Sequence, residues 1–421
     1  LEPFDESMPR ILRNRGIYTH LVTDHQHYWE EGGCTYHTRY NTFELVRGQE
    51  GDAWKGEVKN PVIPERHRKN GLGFFARQDW VNRQYIQDEQ DFPQVQTFTK
   101  GIEFIQNNHR EDNWFLQIET FDPHEPFYTP QKYKDLYPHS YNGKLEDWPV
   151  YGKVEETPEQ VHHVRMEYAA LLSMCDEYLG KILNTMDSLD LWKDTMLIVN
   201  TDHGFLLGEH GWWGKCVQPF YNEVAHIPLF IWDPRIGIQG ERRNSLVQTI
   251  DLAPTLLDFF GVDIPGNMQG KPLKEVVAAD RAVREGALFG IHGGHVNYTD
   301  GRYVYMRAPV SPENKPLYNY TMMPTHIHDF FSLEELQGVE LADPFTFTKG
   351  VRIMKVPASA KHAAHPFGNL LFDLEDDPRQ QNPLDHHALE VDLIGKMISL
   401  MKDNDAPPEQ FERLGLMEYG L

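Results

Sequence analysis

Three β-rich runs in this sequence stop in the same way, on an acid and an imidazole. "GIYTHLVT" leads into Asp24, His25 and His27, Trp114–Ile118 into Asp122 and His124, and Met196–Val199 into Asp202 and His203, with Lys215 following downstream. Short runs of this kind suit the buried strands of an α/β sheet. Helical patterns lie between them. Residues 6–15 read as a short amphipathic helix capped at Asp5 or Ser7. Phe98, Ile102 and Ile105 share one helical face, and residues 157–192 open on Thr157, Pro158 and Gln160, an N-terminal signature, before apolar positions recur at threes and fours. "HIPLFIWDP" reads as a further strand and "TIDLAPTLLDFFG" as a helix stopped at Gly261. The alternation predicts an α/β fold: a mixed, mostly parallel central sheet flanked by helices, with ligands gathering at the carboxyl ends of its strands.

Beyond about residue 280 the pattern shifts to short strands with turn signals, such as Asp300-Gly301 in "VNYTDGRYVYMR", and closes on the helical "LEVDLIGKMISLMKD". The expectation is a catalytic α/β domain over 1–275 and a smaller C-terminal α+β subdomain over 276–421, containing an antiparallel sheet. A formal charge of −23 argues against nucleic acid as a partner. Three scattered cysteines, Cys34, Cys175 and Cys216, do not make a disulfide framework or a cysteine zinc site. The sequence has no transmembrane segment, since no apolar run approaches the roughly 18 residues that one needs.

One Asp–His strand end is ordinarily a turn or a cap. Three of them converging, with Lys215 set between Gly214 and Cys216 after two tryptophans, suit hydrolysis of an anionic ester. Asp202 and His203 are ligand types for a divalent cation. Lys215 and a histidine can hold the non-bridging oxygens of a sulfate or phosphate. His124, between Pro123 and the Glu125-Pro126 pair, is a candidate for protonating the leaving oxygen or binding the anion. Arg47 and Trp54 in "RGQEGDAW" mark either a substrate-side loop or a structural turn.

"TDHGFLLGEHGWWGK", then "YNEVAHIPLFIWDP" and "TIDLAPTLLDFFG", closely resemble the type I sulfatases of the alkaline-phosphatase-like superfamily. "FDPHEPF", "NYTDGRYVYMR" and "LFDLEDDPRQQNPL" extend the resemblance over nearly the whole chain. It implies a sulfuric ester hydrolase acting on a sulfated small molecule or glycan, with Ca2+ as the one divalent metal. Asp202 and His203 match metal ligands, Lys215 the lysine on the sulfate, and His124 the histidine near the leaving oxygen. Where the family commonly carries Gly-Lys-Trp-His, this chain has Thr23-Asp24-His25-Gln26, so His25 or His27 takes the place of the lysine.

The family's nucleophile is a formylglycine made within Cys-x-Pro-x-Arg or Ser-x-Pro-x-Arg, and neither motif occurs here. The resemblance places it, with two further metal-binding aspartates, upstream of Leu1. The 421 residues alone are therefore expected to be inactive, and a periplasmic or secreted location is the expectation for the whole protein. A phosphonate monoester or phosphodiester hydrolase of the same superfamily is the competing enzyme, and an anion-binding pseudoenzyme the competing non-enzyme.

Overall fold

The computed structural model describes residues 2–33, 35–66, 73–360 and 364–419, so Cys34 lies outside the described residues. Helix α1 (Met8–Asn14) has Ser7 at its N-cap position, without a side-chain cap hydrogen bond. Its Leu12 packs with Ile17 and Leu257. Strand β1 (Tyr18–Thr23) follows, and lies in the middle of a three-stranded parallel sheet. On one side is β2 (Thr42–Leu45), a strand that the sequence pattern does not announce. Its sequence, Thr-Phe-Glu-Leu, is too short and too exposed to carry a strand signal of its own.

Helix α2 (Pro93–Asn108) leads into β3 (Trp114–Glu119) on the other side of β1. The register sets Thr23 opposite Glu119, so both strands release their polar ends at the same edge. The long helix α3 (Pro158–Ser188) starts on the expected capping box, with Thr157 Oγ1 accepting from Gln160 N and Gln160 Oε1 from Thr157 N. The stripe on α2 faces this helix and β3: Phe98, Ile102 and Ile105 pack with Ile182, Met186, Leu116 and Ile118.

The third polar strand belongs to a different sheet. β4 (Leu197–Asn200) pairs antiparallel with β5 (Leu229–Trp232) in a two-stranded unit. The three polar strand ends therefore do not share one sheet edge, as the sequence led us to expect. β5 satisfies the backbone of β4, and Trp232 Nε1 donates to Trp192 O at 2.9 Å at the turn before β4. Helix α4 (Leu252–Phe259) completes this half.

In the C-terminal region β6 (Ala287–Gly290), β7 (Val296–Thr299), β8 (Tyr303–Arg307) and β9 (Leu370–Asp373) form an antiparallel sheet in the order β9-β8-β7-β6. Helix α5 (His387–Asp403) buries Leu393, Ile394 and Met397 against its Tyr298, Tyr305 and Leu371. No helix among the described residues is long and apolar enough to cross a membrane.

Candidate anion and metal site

Lys215 and His124 meet. Lys215 Nζ lies 2.5 Å from His124 Nε2, although the two side chains come from loops far apart in sequence. The reason is a shared apolar anchor. The short strand Trp212–Gly214 carries Trp213, which is fully buried with Phe127, Val164 and Leu171. Its indole donates to Glu156 Oε2 at 2.7 Å. Phe127 ends the loop that bears His124, so one cluster fixes both ends of the pair. Gly214 has φ +112°, and a Cβ there would sit 2.9 Å from the Tyr151 ring, so only glycine lets Lys215 turn inward. The Tyr151 hydroxyl in turn donates to Glu125.

The tautomer of His124 follows from its contacts. Nδ1 is 2.6 Å from the Glu125 carbonyl oxygen and must donate to it, which leaves Nε2 with a lone pair facing Lys215. Burial, then the Lys215 charge, pushes His124 down to about 3. The imidazole is therefore neutral at physiological pH.

His25 and His27 separate. Phe121 bridges His25 and His124, with ring centroids 5.5 Å from the first and 4.3 Å from the second. His25 is lowered to about 4 by burial and then by His27, and both Asp202 and His124 are within electrostatic range of it. His27 instead turns its Nδ1 to Glu30 Oε2, at 2.7 Å. Arg47 is taken up by a structural role: Nε and Nη2 hold the Asp52 carboxylate at 2.7 and 2.6 Å, and Nη2 also donates to Ala53 O.

Asp202 and His203 fit a cation. His203 Nδ1 donates to Gly204 O at 3.0 Å, which leaves the Nε2 lone pair 3.4 Å from Asp202 Oδ2. An imidazole nitrogen and a carboxylate oxygen facing each other are ligand types that a common positive ion takes. The Asp202 side chain is 81% exposed and that of His203 35%, so the pair is open to solvent. Glu209 and His210, conspicuous in the same loop, shape it instead. Glu209 Oε2 accepts from Leu207 N at 2.6 Å, and His210 stacks on Tyr221 at 3.7 Å.

Further contacts tie the surroundings of the site together. Asp24 Oδ1 accepts from Phe121 N at 2.7 Å, and Gln49 Nε2 donates to Asp122 Oδ1 at 2.7 Å, tying the ends of β1 and β3 to the 47–52 loop. Burial raises Asp24 well above the carboxylate range and lifts Asp122 to about 7. Glu50 is pushed up to about 8 by burial and then by Glu125, while Lys215 opposes the shift. Asp24 and Asp122 stood out as strand-end acids, whereas a single Glu in a loop such as Glu50 has no pattern that distinguishes it.

The shifts predict a pH dependence of stability. A histidine lowered from 6.5 toward 3 contributes fully above pH 6.5 and loses that contribution as pH falls through 6.5 toward 3. Asp122 and Glu50 run the other way, losing theirs as pH rises from about 4 toward 7 and 8. His124→Gln should therefore flatten the fall in unfolding midpoint between pH 6.5 and 3 in chelator-containing buffer. Identical acid limbs for wild type and variant would contradict this assignment.

The profile of the Sulfatase family matches residues 1–262, and that of the N-sulphoglucosamine sulphohydrolase C-terminal region matches residues 208–333. Among curated relatives, N-acetylglucosamine-6-O-sulfatase of Bacteroides thetaiotaomicron is 36% identical over 111 residues, 26% of this chain and 20% of that protein. The chain spans less than half the length of the first curated relatives it matches. Two solved structures share the fold at 15% identity and a TM-score of 0.60. One, bound to its substrate D-glucosamine-2-N,6-O-disulfate, aligns over 96% of this chain and 83% of its own. The other, phosphonate monoester hydrolase of Agrobacterium radiobacter, aligns over 96% and 81%.

Proposed function

The chain belongs to the type I sulfatase family of the alkaline-phosphatase-like superfamily, and on that premise we propose that the protein hydrolyses a sulfate monoester on a carbohydrate. The observation that carries this reading is the Lys215–His124 contact beside the Asp202–His203 pair. Likeness to the N-acetylglucosamine-6-O-sulfatase supports a sulfated amino sugar as substrate.

The Lys215 ammonium binds a non-bridging sulfate oxygen, turning its N–H from His124 toward the anion. With the anion in place, the positive charge that depresses His124 is offset and its pKa rises. Nε2 can then hold a proton 2.5 Å from the Lys215 position and deliver it to the leaving oxygen. The Glu125 carbonyl keeps the ring oriented throughout. His25 supplies a further donor to the anion from the end of β1. Asp202 Oδ2 and His203 Nε2 would hold a divalent cation, Ca2+ by the family's habit, which when bound draws negative charge from the sulfate. The formylglycine nucleophile belongs to this reading as well.

A phosphonate monoester or phosphodiester hydrolase is the second reading. It is favoured by one observation: neutral His25, with Asp24 before it, stands where the family commonly has a lysine. The test is turnover by the full-length gene product. With aryl sulfate, glucosamine 6-sulfate and an aryl phosphonate monoester compared, the sulfates should have the higher kcat/KM by at least tenfold. A preference for the phosphonate would overturn the sulfatase reading.

A further inference from the structure

Beside the anion site lies a donor cluster that the proposed reaction does not use. His27 Nδ1 and His328 Nδ1 approach the same oxygen of Glu30, at 2.7 and 2.6 Å. The two imidazoles meet edge to face with centroids 4.8 Å apart. One ligand atom from each of the three residues lies within 4.8 Å of the other two. We propose that His27, Glu30 and His328 form a binding site for a divalent transition-metal ion of the zinc class, separate from the Asp202–His203 pair.

The donor set points to this class. Two imidazole nitrogens and a carboxylate oxygen are a ligand set of zinc sites with an open fourth position. Two nitrogens among three donors favour such metals over calcium or magnesium, whose ligands are mainly oxygen. The ligands also need little rearrangement. Tetrahedral zinc with bonds of about 2.0–2.1 Å separates its ligand atoms by about 3.3 Å. Opening the observed 2.6–2.7 Å contacts to that spacing is a side-chain rotation.

The backbone holds the two contributing segments together in advance. His27 and Glu30 follow β1, whereas His328 lies 298 residues beyond Glu30 in the C-terminal region. Gly32 N donates to Ile327 O at 3.1 Å. A Cβ on Gly32 would fall 1.5 Å from the His326 carbonyl oxygen, so the approach of the two chains depends on a glycine there. The Phe75 ring packs edge-on against His328 at 5.8 Å. His27 and Glu30 are only 22% and 24% exposed, and His328 at 45% leaves the fourth position open to solvent. A metal here staples the C-terminal region to the rim of the anion site, since His27 also contacts His25 edge to face at 4.9 Å.

The test uses the whole chain and no activity assay. Zn2+ affinity by competition with a chromophoric chelator should fall at least tenfold in both His328→Ala and Glu30→Gln, and should persist in Asp202→Asn. Co2+ added to wild type should give the visible ligand-field bands of a four- or five-coordinate nitrogen-containing site. Unchanged Zn2+ affinity in the two variants would overturn the assignment, and so would wild type without those Co2+ bands, whether or not the variants fold.

Discussion

Replacing Lys215 by alanine in the full-length protein is expected to lower kcat/KM for a sulfate ester by about 100- to 1,000-fold, the usual effect of removing one charge-stabilising donor from a water-poor site. The ammonium sits 2.5 Å from His124 Nε2, so the substitution removes the cation from the point where the anion must lie. It also removes the charge that depresses His124 after burial itself. The pH profile of the residual activity should therefore shift toward a histidine with a higher pKa. Loss of rate in kcat as well as KM would mark a group used in the transition state. A variant with nearly full activity and an intact fold would remove Lys215 from the machinery.

The largest effect on stability is expected at Asp147, behind the same loop. Its carboxylate meets Arg83 Nη1 at 2.6 Å and Arg66 Nη2 at 3.1 Å, with all three side chains buried. Burial alone would push Asp147 up, but Arg83 and Arg66 together outweigh it and hold the carboxyl below the usual range. Arg83 also pairs with Asp79 at 2.9 Å. Asp147→Ala takes the shared acid away from two guanidinium groups, at an expected cost of about 3–5 kcal/mol. Chemical denaturation of wild type and variant measures it directly. Because the Asp147 carbonyl accepts from Phe127 N at 2.6 Å, collapse of this cluster should also loosen the His124 loop and lower activity at temperatures well below unfolding. A change under 1 kcal/mol would show that the cluster relaxes or hydrates freely.

How much of this was readable before folding depends on the kind of signal. The Thr157–Gln160 capping box and the Phe98/Ile102/Ile105 stripe are local or periodic, and both appear where the sequence puts them. β2 escaped because an exposed four-residue edge strand carries no apolar period. The pairing of β4 with β5 escaped because strand partners are chosen by packing, not by the strand's own composition. At the site, Asp202, His203, Lys215 and His124 stood out as chemically unusual residues at strand ends. Glu30, Glu50, Glu125 and His328 did not, because nothing adjacent in sequence marks an acid or histidine whose partner is brought by another segment.

Which strand ends carry ligand-type side chains, and the family to which such an order of motifs belongs, can be read along the chain before it folds. Both are properties of residues near one another along the chain. Packing of distant segments brought Lys215 to His124, set Arg47 on Asp52 and turned His27 to Glu30. It also brought His328 to Glu30 from the far end of the molecule. Those outcomes follow from buried anchors such as Trp213 with Phe127, and from backbone approaches such as Gly32 at Ile327, whose geometry exists only once distant segments have packed.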